Sequence, residues 1–261
     1  MNLLKSFVFL FFLGFLLILF GGSIEIVLSS VSLLPDKVTQ QTIAFLFSGI
    51  FILIFLYFAF PSIFNKIKSW LSISWKSILF FVLTILSITT LFSIAIILGV
   101  KLDLISQVAS LSSGPHVDKI IKFFVLALTV GFTEELVYRG AISAYFFQKV
   151  DIRLAIVIIS IFFALGHIQY DGVLPFLTAF SFGIASSILL LKTGSLLPSI
   201  GLHCGWNFTF KVYESFYDMK IQIIPFWGNV FEIVQLCLIS LLIISILLLR
   251  KNLSNYFLPI I

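Results

Sequence analysis

TEELVYRG, residues 133–140, places the charges of Glu134, Glu135 and Arg139 inside a long run of apolar residues. An ionised side chain near the centre of a bilayer costs about 3 kcal/mol or more, so charges in such a run are expected to be paired or functional. On a helix, Glu135 and Arg139 lie one turn apart, in the acid-first order that favours an ion pair. Glu134 lies about 100° further round the helix and is free to face something else.

The composition around this stretch is that of a membrane protein. Of the 261 residues, 61% are hydrophobic and 10% are charged, and the mean hydropathy of +1.21 exceeds that of soluble domains. No polar linker, charge block or repeat divides the chain, so we predict a single transmembrane domain over residues 1–261. The net charge of +5 is scattered between apolar runs rather than clustered, which argues against a nucleic-acid partner.

Apolar runs long enough to cross the roughly 30 Å hydrocarbon core of a bilayer recur along the chain. They predict eight transmembrane helices, at approximately residues 6–23, 43–60, 77–100, 120–148, 153–170, 174–191, 195–210 and 230–249. The first run has the profile of a signal peptide but lacks an A-x-A-like cleavage site, so we expect it to stay as a helix. The predicted fold class is an all-α integral membrane protein, a bundle of about eight helices with an intramembrane polar cavity.

Lysine and arginine are enriched in the segments that lie on the same side as the N-terminus. By the positive-inside rule, this places both termini in the cytoplasm. We therefore predict a multi-pass protein, located in the plasma membrane if the chain is prokaryotic. The longest outer loop, 101–119, is expected to hold a short interfacial helix and the solvated side chain of His116.

Two further polar clusters lie inside apolar segments. FFALGHIQY, residues 162–170, contains His167, and GLHCGWNF, residues 201–208, places His203 and Asn207 one helical turn apart. Singly, a histidine or asparagine in a membrane helix often serves only to hydrogen-bond a neighbouring helix. We interpret Cys204, next to His203, as a small packing residue rather than a nucleophile.

The depths of the clusters decide whether they can meet. Glu134 precedes the turn at Asp151 by 17 residues and His167 follows it by 16, so both lie on the order of 20 Å from the cytoplasmic side. His203 and Asn207 follow the next inner turn and lie roughly 12 to 18 Å up. The three clusters can therefore share one cavity, which weakens the purely structural interpretation of each.

A carboxylate, two imidazoles and a carboxamide at one depth form a set that can activate water. Glu134 and a histidine can deprotonate a water, while a second histidine and Asn207 can donate to the oxyanion formed when that water attacks an amide carbonyl. Alternatively, Glu134, His167 and His203 can hold a zinc ion whose bound water is the nucleophile. The residues alone leave both routes open, although the absence of H-E-x-x-H disfavours an ordinary zincin.

The ordered patterns E-E-x-x-x-R, F-x-x-x-H and H-x-x-x-N are carried by Glu134, Glu135, Arg139, Phe163, His167, His203 and Asn207. Together they resemble the signature of the CAAX protease and bacteriocin-processing family, also called CPBP or Abi. Its members are intramembrane proteases related to the Ras-converting CAAX endopeptidase. The resemblance covers roughly residues 120–210, which we expect to be the catalytic core.

This resemblance implies an eight-helix bundle with a conical cavity. It implies that Glu134 is the base that activates water and that Glu135 and Arg139 support the structure. It also implies oxyanion stabilisation by His167, His203 and Asn207. No cofactor is certain, and a divalent metal such as zinc is possible.

The predicted function is an intramembrane endopeptidase that cuts near the end of a membrane-associated protein or peptide precursor. The substrate would be a CAAX-type tail or a bacteriocin or pheromone precursor, met within the lipid bilayer. The alternative is a non-catalytic membrane scaffold, an immunity protein or a proton-coupled transporter that uses the same polar cluster. No internal symmetry of the kind expected for inverted-repeat transporters is evident in the sequence.

Overall fold

The structure, a computed structural model, describes residues 36–103, 105–108, 117–167, 172–216, 218–221, 223–224, 228–229 and 231–248. The predicted first helix at 6–23, His116 and both termini lie outside the described residues.

Helices make up most of the described residues. They are α1 (Lys37–Ala59), α2 (Pro61–Trp70), α3 (Trp75–Lys101), α4 (Val117–Glu135), a π-helix (Leu136–Ile142), α5 (Ser143–Phe146), α6 (Ile152–Leu165), α7 (Val173–Thr193), α8 (Leu197–Phe216) and α9 (Phe231–Leu248). The segments from Val117 to Phe146 follow one another without a break. Counted as one helix, they bring the described residues to eight helices.

The predicted fold class is confirmed, since the chain is a helical membrane protein. Seven of the eight predicted spans coincide with described helices. By length and composition alone, α1, α3 and α7 are apolar enough to cross a membrane. Many of the side chains that α1 and α3 expose are large and apolar, such as Phe58 at 77% and Phe47 at 58%, as expected for surfaces that meet lipid.

Two boundaries differ from the sequence prediction. The helix predicted at 153–170 ends at Leu165, so His167 lies in the turn that follows rather than within the helix. The short helix α2 was not predicted, and Pro61 occupies its first turn, where the missing amide hydrogen costs nothing.

Two short antiparallel ribbons lie between helices. In the first, Ile105–Val108 pairs with Asp218–Ile221; in the second, Ile223–Ile224 pairs with Gly228–Asn229. Within the segment 101–119, where a short interfacial helix is expected, residues 105–108 form a strand, and residues 109–116 lie outside the described part of the chain. A strand pairs with a segment more than a hundred residues away in sequence, and local patterns carry little information about such pairings.

Close packing holds α8 beside α3. A Cβ atom added to Gly201 would lie 2.5 Å from the carbonyl oxygen of Phe81, and one added to Gly205 would lie 2.9 Å from that of Ile85. Glycines four residues apart are the usual means by which two membrane helices approach closely. The helix that carries His203 is thereby fixed against its neighbour.

Candidate active site

The site is built around a change of helical geometry in the TEELVYRG stretch. Helix α4 ends at Glu135, and the next seven residues, Leu136–Ile142, form a π-helix. The hydroxyl of Ser143 donates to the carbonyl oxygen of Tyr138, five residues earlier, at 2.9 Å. π-Helical turns inside α-helices are frequent at functional sites.

Glu135 is fully buried and ties three helical segments together. Its Oε1 accepts a hydrogen bond from Arg139 Nη1 at 2.9 Å and one from His203 Nδ1 at 3.0 Å. Its Oε2 accepts one from Ser186 Oγ at 2.6 Å. Both oxygens of this carboxylate are therefore engaged, and neither is available to bind a water or a substrate.

Arg139 forms the i,i+4 ion pair with Glu135 that the sequence indicated. Its side chain has no solvent exposure, and the guanidinium lies 4.4 Å from the centre of the Phe163 ring. This is cation–π geometry, which is strongest where water is excluded. Arg139 thus stabilises the Glu135 carboxylate and joins the π-helix to α6.

His167 stands at the end of α6, where Gly166 brings the backbone against Tyr138. A Cβ atom at Gly166 would lie 2.5 Å from the Tyr138 hydroxyl, so a larger residue would displace this turn or the Tyr138 side chain. The Nδ1 atom of His167 lies 2.8 Å from the carbonyl oxygen of Phe163. A carbonyl can only accept, so Nδ1 carries the hydrogen and Nε2 of the neutral ring presents a lone pair.

A hydrogen bond at Nδ1 also orients His203. Its Nδ1 atom faces the Glu135 carboxylate, so Nδ1 donates and Nε2 of the neutral ring is again an acceptor. The ring is 4% exposed and meets Phe163 and Phe182 edge-on, with centroid separations of 5.8 and 5.3 Å. This packing leaves the imidazole little room to turn.

Glu134 completes the cluster. Its Oε2 atom lies 3.8 Å from His167 Nε2 and 3.8 Å from His203 Nε2. This oxygen is buried and has no hydrogen-bond partner. Glu134 Oε2 therefore faces two imidazole nitrogens at 3.8 Å, an arrangement that a water, a proton or a cation can bridge.

Asn207 lies one turn beyond His203 on α8 and is partly buried. Its amide makes no hydrogen bond within the part of the chain that the structure describes. Cys204 is fully buried, in keeping with its interpretation as a packing residue. Sequence reasoning missed Ser186 and Phe182, both on α7, since serine and phenylalanine recur throughout this chain and neither stands out.

The residue types at this cluster fit a zinc ion, since a glutamate with two histidines is one of the known catalytic zinc sets. Bonds of about 2.0 to 2.1 Å at tetrahedral angles would place the ligand atoms roughly 3.3 to 3.4 Å apart. The separations from Glu134 Oε2 are 3.8 Å. As the side chains stand, no set of three His, Cys, Asp or Glu residues in the described part of the chain is arranged to hold a metal. Binding would require Glu134 Oε2 and each imidazole to approach one another by a few tenths of an ångström.

The fold defines a multi-pass helical membrane protein. In its site, Glu134 Oε2 has no hydrogen-bond partner and faces two imidazoles. One of these, His203, is bonded to the buried ion pair of Glu135 and Arg139. Residues 116–209 match the family model described as Type II CAAX prenyl endopeptidase Rce1-like. The match confirms the resemblance seen in the three motifs, all of which fall inside it. Residues 116–209 are thus similar to this family, whose description implies a protease. Among curated proteins, none matches the chain.

Proposed function

We propose that this protein is an intramembrane endopeptidase in which Glu134 activates the attacking water. The observation that carries the proposal is the convergence of Glu134 Oε2 with the Nε2 atoms of His167 and His203 at 3.8 Å. A water between them can donate its two hydrogens to two of the three acceptors. Its remaining lone pairs are then free to attack a carbonyl carbon.

The proposed reaction is peptide hydrolysis. As the water oxygen bonds to the scissile carbonyl carbon, Glu134 accepts one proton, and the carbonyl oxygen becomes an oxyanion. The C–N bond then breaks, and the proton held by Glu134 passes to the departing amine. General bases of this kind typically contribute a factor of about 10² to 10⁴ in rate.

The tautomers of the two histidines refine their expected roles. With Nδ1 protonated, each neutral ring offers Nε2 as an acceptor, so it can position the water but cannot donate to an oxyanion until it is itself protonated. Asn207 carries an amide N–H₂ in every state and is the donor that we assign to the oxyanion. Glu135 and Arg139 act through His203, which they hold in one tautomer.

If zinc takes part, Glu134, His167 and His203 are the residues that would hold it. A zinc ion in such a site lowers the pKa of a bound water toward 7 and polarises the substrate carbonyl. The roles of Asn207, Glu135 and Arg139 stay the same under either route.

The proposed substrate is a membrane-associated protein or peptide precursor cut near its end. A CAAX-type tail and a bacteriocin or pheromone precursor both meet this description. In each case, the apolar surface of the bundle would bring enzyme and substrate together in the bilayer.

The test compares wild type, Glu134→Gln and His203→Ala in liposomes against a library of fluorogenic amphipathic peptides, each with added zinc and with chelator. Glu214→Gln is the matched control, since it makes the same change at an exposed carboxylate paired with Lys211 at 2.7 Å. We expect cleavage by wild type and by the control, and a loss of about 10² or more in both site variants. The chelator reactions decide whether a metal belongs in the mechanism.

The alternative function has its own outcome in this experiment. A scaffold, an immunity protein or a proton-coupled transporter would cleave no peptide. The cellular phenotype of a scaffold or immunity protein would survive Glu134→Gln, whereas a transporter that relays protons through Glu134 would lose it. Absence of cleavage together with a phenotype that survives Glu134→Gln would overturn the proposed endopeptidase.

A further inference from the structure

A second polar site lies where α9 packs against α7. Glu232 is in the first turn of α9, and the hydroxyl of Thr178 on α7 lies beside its carboxyl group. Both Glu232 Oε2 and Thr178 Oγ1 are buried, and neither makes a hydrogen bond of standard geometry. Gln235, three residues further along α9, is 5% exposed. The two facing helices therefore bury a carboxyl oxygen and a hydroxyl oxygen that make no standard hydrogen bond within the described residues.

Unpaired buried polar atoms cost free energy in a folded protein, and each calls for an explanation. The ion pairs of the described residues do not include Glu232. A carboxylate that lacks a cation, beside a hydroxyl oxygen, offers acceptors from two side chains. Acceptors grouped in this way suit a ligand that is positively charged and rich in N–H donors.

The position of this site relative to Glu134 follows from the register of α7. Thr178, Phe182 and Ser186 are spaced by four residues and form one buried stripe. Phe182 contacts the ring of His203, and Ser186 donates to Glu135. Each step along the stripe rises about 6 Å. The Thr178 level therefore lies about 6 to 12 Å along α7 from the hydrogen-bonded pair of His203 and Glu135.

An extended peptide advances about 3.3 Å per residue. A span of about 6 to 12 Å thus corresponds to two to four residues. A substrate whose scissile bond lies at Glu134 can therefore place at Glu232 the side chain of a residue two to four positions from that bond.

We propose that Glu232, together with Thr178 and Gln235, is a specificity subsite for a lysine or arginine side chain of the substrate, two to four residues from the scissile bond. This inference rests on the proposed function. It adds a substrate class, since the peptide must carry a cation at a fixed distance from the bond that is cut. The ammonium or guanidinium group supplies the counter-charge and the N–H donors that the Glu232 carboxylate lacks.

The test uses pairs of fluorogenic peptides that differ at one position, with lysine in one and norleucine in the other. The position is moved from two to four residues on either side of the scissile bond. The readout is the ratio of kcat/KM for the two peptides. For wild type, we expect this ratio to exceed about 10 at one position, and for Glu232→Gln to fall toward one. The surface control Glu214→Gln should leave the ratio as in wild type.

Thr178→Val provides a second variant of nearly the same shape, in case Glu232→Gln fails to fold. It removes one acceptor and keeps the charge, so we expect a partial fall in the ratio. A ratio near one for wild type at every position would overturn the subsite, even if cleavage itself depends on Glu134.

A binding measurement separates this inference from the proposed function. In a Glu134→Gln background, fluorescence anisotropy reports the affinity of the same peptides without cleavage. Tighter binding of the lysine peptide that is lost in the double variant Glu134→Gln, Glu232→Gln supports the subsite, even if the wild type cleaves nothing. Equal affinity for lysine and norleucine peptides overturns it.

Discussion

Glu134 and Glu135 are adjacent in sequence but differ in almost every physical respect. Glu135 is fully buried and accepts hydrogen bonds from Arg139, Ser186 and His203. Glu134 is 23% exposed, and its Oε2 has no hydrogen-bond partner. One carboxylate is thus held in place by three hydrogen bonds, and its neighbour has the oxygen that we propose for catalysis. The rotation of about 100° between consecutive helical residues makes this division possible.

The largest change in stability is expected where the bonded carboxylate loses its cation. Arg139→Ala leaves Glu135 buried without a counter-charge, and breaking a buried ion pair in this way costs about 3 to 5 kcal/mol. Thermal unfolding in detergent, followed by tryptophan fluorescence, measures the effect. Arg153→Ala, at an exposed position, is the matched control. An Arg139→Ala protein that melts like wild type would show that the pair does not hold the site together.

The next largest expected effect is on catalysis rather than on stability. Asn207→Ala removes the donor that we assign to the oxyanion, so kcat should fall by about 10² to 10³ while the melting temperature changes little. Steady-state kinetics on a cleaved peptide measure it. Asn65→Ala, on the exposed face of α2, makes the same change away from the site. A fall in stability equal to the fall in activity would assign Asn207 to packing instead.

Ser186 and Ser187 allow a matched test of the hydrogen bonds to Glu135, because both are fully buried on α7. Ser186 Oγ donates to Glu135, whereas Ser187 Oγ donates to the Gly183 carbonyl in its own helix. Hydrogen bonds to charged groups contribute about 1.5 to 3 kcal/mol, and neutral ones about 1 kcal/mol. Ser186→Ala should therefore destabilise the protein more than Ser187→Ala in the same unfolding assay. Equal losses would contradict the network described for Glu135.

The sequence was informative where local geometry decides the contact. The Glu135–Arg139 pair follows from i,i+4 spacing. The approach of Glu134 to His167 follows because both lie nearly the same number of residues from Asp151, in the turn that connects their helices. The π-helix at Leu136–Ile142 could not be predicted, since its residues have ordinary helix propensities. Nor could the bond from Ser186, because a serine in an apolar helix usually bonds its own backbone.

The smallest expected effect lies at the start of α1, far from both glutamates. A hydrogen bond from Lys122 at 2.8 Å and one from the backbone N–H of Thr39 hold the pKa of Asp36 at about 2. A lowered carboxyl pKa stabilises the fold above the unfolded value of 3.8, and this contribution is lost as the pH falls through about 2. Asp36→Asn keeps the helix cap but removes the ion pair.

Unfolding measured from pH 6 downward tests this assignment. The stability difference between wild type and Asp36→Asn should be constant above about pH 5 and shrink between pH 4 and 2. A difference that does not change over that range would show that the ion pair with Lys122 contributes nothing.

The most direct test of the division between the two glutamates measures Glu134→Gln and Glu135→Gln side by side, for peptide cleavage and for thermal stability in the same preparation. We predict that Glu134→Gln loses about 10² or more in cleavage while melting like wild type. Glu135→Gln should lower the melting temperature, because the buried guanidinium of Arg139 loses its carboxylate. A Glu134→Gln protein that still cleaves would contradict the assignment of the open carboxylate to chemistry.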